Sequence, residues 1–219
     1  MFDIQQLVYS LLLKAPGILV GLTIHEYAHG LVALLRGDDT AKQAGRLSLN
    51  PVSHLDLYGT LMLCIGFFGW AKPVPVNYQN LNNPRWDSAL VSIAGPAMNI
   101  LGAIVLGLML RFLDFSALGT TNAVVLYKIA FMAYQINIGL SFFNLLPFPP
   151  LDGSNILISF LPRSKVQPYL RLMRYVPLIF IVLFFVEWSF HIPTISRILN
   201  PLYIPYATFW NLVILGKGF

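Results

Sequence analysis

The sequence predicts an all-α polytopic membrane protein: a bundle of about four to six transmembrane helices with a small membrane-associated β-hairpin or re-entrant loop. Three observations carry that prediction. Of the 219 residues 57% are hydrophobic and only 11% charged, against about 25% charged in a soluble domain. The mean hydropathy is +0.69. Several apolar runs approach or exceed the roughly 20 residues that span a bilayer. Residues 1–219 are read as one membrane-embedded domain, with C-terminal helices over about 172–219. The N-terminus lacks a basic region followed by a small-residue cleavage site, so no removable signal peptide is expected. Cys64 is the only cysteine, which excludes an internal disulfide and a cysteine-based metal site. The formal charge of +5 reads as basic cytoplasmic loops rather than a nucleic-acid surface.

The first membrane element covers about 5–35, with a bend expected at Pro16. It contains His25-Glu26-x-x-His29. Residues four apart on a helix lie about 40° from each other around the axis, so the two imidazoles point the same way. They form a two-toothed seat for a zinc ion, and Glu26 beside them can take a proton from a water that the metal activates. An ionisable group inside a lipid-spanning segment costs on the order of 2.5–3.5 kcal/mol on insertion scales. Three such groups in one apolar run therefore point to chemistry. His29 lies six residues before Leu35, roughly 9 Å along the axis, which sets the site below one membrane surface.

Gly45 to Pro51 alternates as a short strand closed by a turn. Residues 55–70 are apolar but broken by Gly59, Gly66 and Gly69, and Pro73 and Pro75 favour an extended edge strand over 71–77. This region reads either as a re-entrant β-loop whose edge pairs with an unwound substrate, or as a structural hairpin. A second span covers 88–113; small residues around Gly95, Gly102 and Gly107 suit close helix packing, and Asn99 must find a partner inside the bundle. A third span covers 122–146, with Asn137, Ser141 and Asn144 forming one polar stripe expected to face His25 and His29. Prolines 147, 149 and 150 stop it and lead to Asp152. Asp152 serves either as the N-cap of a short helix 153–161 or as a third metal ligand; Asp56 and Glu187 are the other carboxylates to weigh. The basic stretch 163–174 reads as a loop, 176–188 as a further apolar run, and the aromatic tail from Pro201 as an interfacial or bundle-packed segment.

Loops 36–50, 71–87 and 147–175 fall on one face and hold nine of the fourteen Lys and Arg residues. The positive-inside rule makes that face cytoplasmic, which puts His29 and Asp152 near the same surface.

These pieces together resemble the site-2 protease family of intramembrane zinc metalloproteases, peptidase family M50, in its short form without a PDZ-like or CBS-like domain. The resemblance covers about 17–160. It rests on His25-Glu26-x-x-His29 and on Asn144-Leu-Leu-Pro147-Phe-Pro149-Pro-Leu151-Asp152-Gly153. Gly45-Arg-Leu-Ser-Leu-Asn50-Pro51-x-x-His54-x-Asp56, Gly69-Trp70-Ala-Lys72-Pro-Val-Pro-Val-Asn77 and Gly95-Pro96-x-x-Asn99 look like its bacterial and archaeal branch, although Leu57 stands where that branch often has proline. The resemblance implies peptide-bond hydrolysis within the membrane of a prokaryotic cell. One zinc ion would be held by His25, His29 and Asp152, with Glu26 as general base and then acid. Asn144 looks like the family's active-site asparagine, hydrogen-bonding substrate or oxyanion. His54 either lines the site or is a structural histidine satisfied by loop carbonyls, and Asp56 reads as a loop cap or a support for the site. The implied partners are the bilayer and a transmembrane protein substrate whose helix must unwind at the cleavage site; an oligomer is compatible with the sequence. Two rival functions, metal transport and chemistry-free scaffolding, differ in one respect: neither needs Glu26.

Overall fold

The computed structural model describes residues 4–64, 69–115 and 119–216. The described chain is helical: α1 (Ile4–Leu35), α2 (Thr40–Gln43), a 3-10 turn (Pro51–His54), α3 (Leu57–Cys64), α4 (Pro84–Phe112), α5 (Thr120–Asn144), α6 (Asp152–Phe160), α7 (Arg163–Met173), α8 (Val176–Phe190) and α9 (Ile195–Leu215). Five stretches are long and apolar enough to cross a membrane: α1, α4, α5, the continuous stretch Arg163–Phe190, and α9.

Helices α1, α4 and α5 pack on one another to form the centre, α6 lies against α4, and α9 against α4 and α5. One core cluster joins Ala103, Tyr134, Ile138 and Ile214; another joins Ala33, Leu81 and Val91 where α1 ends and α4 begins. The aromatic tail expected at the interface or in the bundle belongs to the bundle. Tyr134 donates to Asn211 Oδ1 at 2.8 Å, and the hydroxyls of Ser141 and Tyr206 lie 2.8 Å apart, so α5 and α9 are joined by polar pairs away from water. Such bonds have few competitors in an apolar surround. The stretch 163–174, expected as a loop, is helix α7. Glu187 turns α8 into α9 by accepting from the amides of Ile195 (2.7 Å) and Ser196 (3.1 Å) and from the Ser196 hydroxyl. Large apolar side chains of α8, among them Leu178, Ile181 and Phe185, face outward, as lipid contact requires.

The expected β-hairpin does not form. No strand occurs among the described residues, and a single antiparallel bridge, Leu55 to Ala71, joins the two arms; residues 65–68 of the expected loop, including Gly66, lie outside the described residues. Two local causes account for this. Asp56 accepts from the Gly59 amide (2.9 Å) and its carbonyl from the Thr60 hydroxyl (2.6 Å), which starts α3 where an arm was expected. Pro73 and Pro75 lack N–H groups, which removes ladder donors from one edge of the segment 71–77. It becomes an extended strap whose amides go elsewhere: Lys72 to the His54 carbonyl (2.8 Å), Val74 to Glu26 Oε2 (2.8 Å) and Asn77 to Asp38 Oδ2 (2.8 Å).

Asp38 is fully buried just beyond α1. Burial alone would raise its carboxyl, but donors from Thr40, Asn77 and Asn80 outweigh burial and hold it below the usual carboxylate range. A carboxyl lowered by folding stabilises the fold above the unfolded value of about 4, and that contribution is lost as pH falls through the folded value. Acidification from about pH 5 downward is therefore expected to loosen 71–82 ahead of the α1–α4–α5 centre, read as a pH-dependent rise in amide exchange of that segment. Replacing Asp38 with Asn should abolish that pH dependence.

Candidate metal centre

Three side chains converge where α1, α4 and α6 meet. His25 and His29 are buried on one face of α1, and Asp152, the first residue of α6, comes from the other side. Their donor atoms are mutually close: His25 Nε2 to His29 Nε2 3.0 Å, His25 Nε2 to Asp152 Oδ2 3.2 Å, His29 Nε2 to Asp152 Oδ2 3.3 Å. Among the described residues this is the one group of three potential ligands within a metal's reach.

The protonation of the rings follows from their other nitrogens. His29 Nδ1 lies 2.7 Å from the Val91 carbonyl, which can only accept. His25 Nδ1 lies 2.6 Å from Asn99 Oδ1. The Asn99 amide is oriented by its own Nδ2, which donates to the Gly21 carbonyl (2.9 Å) and to Asn137 Oδ1 (3.0 Å). Asn137 is oriented in turn by donating to the Ala133 carbonyl (2.9 Å). Both Nδ1 atoms therefore carry the proton, and in that tautomer both Nε2 atoms present bare lone pairs. Asp152 Oδ2 is buried without a hydrogen-bond donor. Three lone pairs thus meet in a space that one proton can bridge at most pairwise, whereas a cation satisfies all three. Ligands around a tetrahedral zinc, at about 2.0–2.2 Å from the ion, stand roughly 3.3–3.6 Å apart. The two imidazole–carboxylate separations, 3.2 and 3.3 Å, lie at the lower edge of that range, and the 3.0 Å between the imidazoles would open by a few tenths of an ångström around an ion.

The backbone allows the approach at two glycines. A Cβ on Gly95 would stand 2.6 Å from His25 Cε1, His29 Cε1 and His29 Nε2, so α4 can cross the histidines only without a side chain there. A Cβ on Gly153 would lie 2.3 Å from the Leu145 carbonyl oxygen, so the chain can fold back under α5 only with glycine next to Asp152. Asp152 does not cap α6, whose N-cap is Leu151, and its carboxylate is left to the histidines. Arg85 fixes the far end of α6 by donating to the carbonyls of Ser159 and Leu161, both at 2.7 Å.

Glu26 lies on the same turn of α1, half-buried, with Oε2 held by the Val74 amide. Asn144 sits on the last turn of α5 with its Nδ2 donating to the Leu140 carbonyl at 3.1 Å. His54 is buried against the loop: its Nε2 donates to the Ser48 carbonyl at 2.7 Å, and its Nδ1 is buried without a partner. Of the polar stripe on α5, Asn137 supports the metal side through Asn99, whereas Ser141 faces Tyr206 on α9. The rival carboxylates are occupied elsewhere, Asp56 at α3 and Glu187 at α9. Sequence reasoning did not single out Tyr78. Burial first, and then the Asp152 charge, raise its hydroxyl above the ordinary value. No local sequence signal marked it. Beside the site a cavity of about 510 Å³ opens, with walls from Trp70, Phe143, Phe148, Leu151 and Phe180.

Replacing Gly95 with Ala is expected to displace both imidazoles and lower metal affinity by at least about tenfold to a hundredfold, the range seen when a supporting group around a metal is lost. Ala at Gly139, where an added Cβ meets nothing within 4 Å, should leave affinity unchanged. Metal content after dialysis against graded chelator compares the two.

The profile of peptidase family M50 matches residues 14–186. YwhC of Bacillus subtilis, which carries a zinc-metalloprotease name, is 41% identical over 172 residues, 76% of this chain and 77% of its own length. Rip2 of Mycobacterium tuberculosis, named likewise, is 30% identical over 229 residues, 95% of this chain and 85% of its own. MJ0611 of Methanocaldococcus jannaschii is 28% identical over 182 residues, 83% of each. No solved structure is significantly similar to the chain. Three converging donors beside a glutamate, on a chain whose helices suit a bilayer, thus coincide with the family match: this chain belongs to peptidase family M50.

Proposed function

We propose that the protein is an intramembrane zinc endopeptidase that hydrolyses a peptide bond in or near a transmembrane segment of another protein. The observation that carries this reading is the meeting of two imidazole Nε2 atoms, whose Nδ1 atoms face acceptors, and one buried carboxylate oxygen, with Glu26 one residue from the first of them. One zinc ion per chain, held by His25, His29 and Asp152, would acidify water and polarise the scissile carbonyl.

The remaining steps belong to the chain. Glu26 has one oxygen engaged by the Val74 amide, so the other is left to take the proton of the attacking water and to return it to the departing amine. Asn144, on the last turn of α5, supplies an amide that can leave the Leu140 carbonyl for a substrate carbonyl. His54 is assigned to the loop: its Nε2–H holds the Ser48 carbonyl, and its own carbonyl holds the Lys72 amide. This keeps the strap against α1.

The membrane substrate class is supported by the apolar cavity. Its wall residue Leu151 precedes Asp152 directly, and another, Trp70, lies four residues before Val74. A volume near 510 Å³ falls within the usual range for ligand pockets and suits large apolar side chains. The bias of Lys and Arg toward loops 36–50, 71–87 and 147–175 supports a cytoplasmic opening of the site, and the bacterial and archaeal relatives support a prokaryotic cell membrane.

The test is Glu26→Gln. The variant is expected to hold the same metal per chain as wild type while kcat on a synthetic transmembrane peptide falls by about 10²–10⁴, the usual share of general acid–base catalysis. Cleavage at the wild-type rate by metal-loaded Glu26→Gln would refute Glu26 as the proton carrier, and a metal-loaded wild-type protein that cleaves nothing would refute the protease reading; a transporter or scaffold would keep its function in the variant.

A further inference from the structure

The geometry points to Asp38 as a positioning residue for Glu26, acting at a distance through the strap 71–77. The inference rests on Glu26 as the proton carrier and adds the device that aims it.

The strap is held at both ends. At its start, the Lys72 amide donates to the His54 carbonyl (2.8 Å), and Arg46 donates to the Lys72 carbonyl (2.9 Å). At its end, the Asn77 amide donates to Asp38 Oδ2 (2.8 Å), and Asn80, which closes the following turn, donates through Nδ2 to Asp38 Oδ1 (3.0 Å). Between the anchors Pro73 and Pro75 fix two φ angles, so the segment transmits displacement rather than absorbing it. Val74 lies between those prolines, buried, its Cγ1 packed toward Gly30 of α1. Its amide is the donor on Glu26 Oε2. A carboxylate on a flexible stem has many orientations, and one fixed donor on one oxygen selects among them. A shift of about 1 Å in a reacting group can lower a rate by on the order of a hundredfold. The orientation of Glu26 therefore depends on a bond made at Asp38, twelve residues further along the chain and past the end of α1.

Asp38 has local donors as well: Thr40 gives its amide (3.2 Å) and its hydroxyl to Oδ1. This permits a comparison between losses on the two sides. Asn80→Ala removes the bond to Asp38 and the bond that Asn77 Nδ2 donates to Asn80 Oδ1 (3.2 Å), both on the strap side, and Thr40→Val removes one from the local side. If Asp38 only neutralised a buried corner, the two would act alike.

The experiment uses the full chain in lipid vesicles loaded with zinc. It measures kcat and KM on a synthetic transmembrane peptide, bound zinc, and amide exchange over 70–80 for wild type, Asn80→Ala, Thr40→Val, Asp38→Asn and Glu26→Ala. Asn80→Ala and Asp38→Asn are expected to speed exchange of the Val74 and Asn77 amides and to lower kcat by about tenfold or more, with KM within about twofold and zinc retained. Thr40→Val should leave kcat within about twofold of wild type. Equal loss of kcat in Asn80→Ala and Thr40→Val overturns the inference, as does a loosened strap with wild-type kcat, or loss of zinc along with rate. Should Asp38→Asn fail to fold, the Asn80/Thr40 pair decides alone. A wild-type protein that cleaves nothing refutes the protease reading, and the strap is then judged by exchange: Glu26→Ala must speed exchange at Val74, and an unchanged rate there overturns the coupling.

Discussion

Everything at the centre of this molecule depends on two hydrogen bonds that face away from the metal seat: His25 Nδ1–H to Asn99 and His29 Nδ1–H to the Val91 carbonyl. Each acceptor can only accept on that side, so each ring is held with its proton outward and its lone pair inward. With Asp152 Oδ2 within 3.3 Å of both, three negative lobes face one another in a buried space. Such an arrangement is costly without a positive charge at its centre. The arrangement is what a cation would require, and the outer bonds set the tautomer that the proposed ligation needs, as they do around most metal-binding histidines.

The fold is arranged to keep that convergence. Asn99 takes its orientation from Gly21 and Asn137, which ties α4 to α1 and α5 through the same side chain that holds His25. Gly95 lets α4 pass close to the imidazoles, Gly153 lets the chain turn back beneath α5, and Arg85 pins the far end of α6. The proposed metal seat and the helix packing are thus one set of contacts: the bonds that close the α1–α4–α5 centre are the bonds that aim the two imidazoles. The strap adds Glu26, the proposed proton carrier, to the same frame, since Val74 is held by anchors at both ends while its amide engages Glu26.

Much of this is legible in the sequence, for identifiable reasons. The paired histidines, the glutamate and the spans are local patterns with fixed periods, and the apolar runs place them in helices that the structure contains. Asn99 and Asn137 announce themselves because an amide in an apolar helix needs a partner, though the partner's identity does not follow from spacing. What does not follow is whatever depends on long-range pairing between side chain and backbone. The strap has strand-like residues, yet its amides go to Glu26, Asp38 and the His54 carbonyl, and no periodicity encodes that choice. Ser141 shares a stripe with Asn137 but turns to Tyr206, because α9 fills that side of α5. Arg85 and Asp38 carry no motif, and their roles exist only once α6 and the strap are in place.

The most direct test of the central claim is the zinc K-edge absorption spectrum of the purified protein, with His25→Ala, His29→Ala and Asp152→Ala beside it. The account predicts nitrogen and oxygen neighbours at about 2.0–2.2 Å, with imidazole scattering that weakens in each histidine variant and an oxygen contribution that weakens in the aspartate variant. A protein that takes up no zinc, or a zinc spectrum that none of the three substitutions changes, would contradict it.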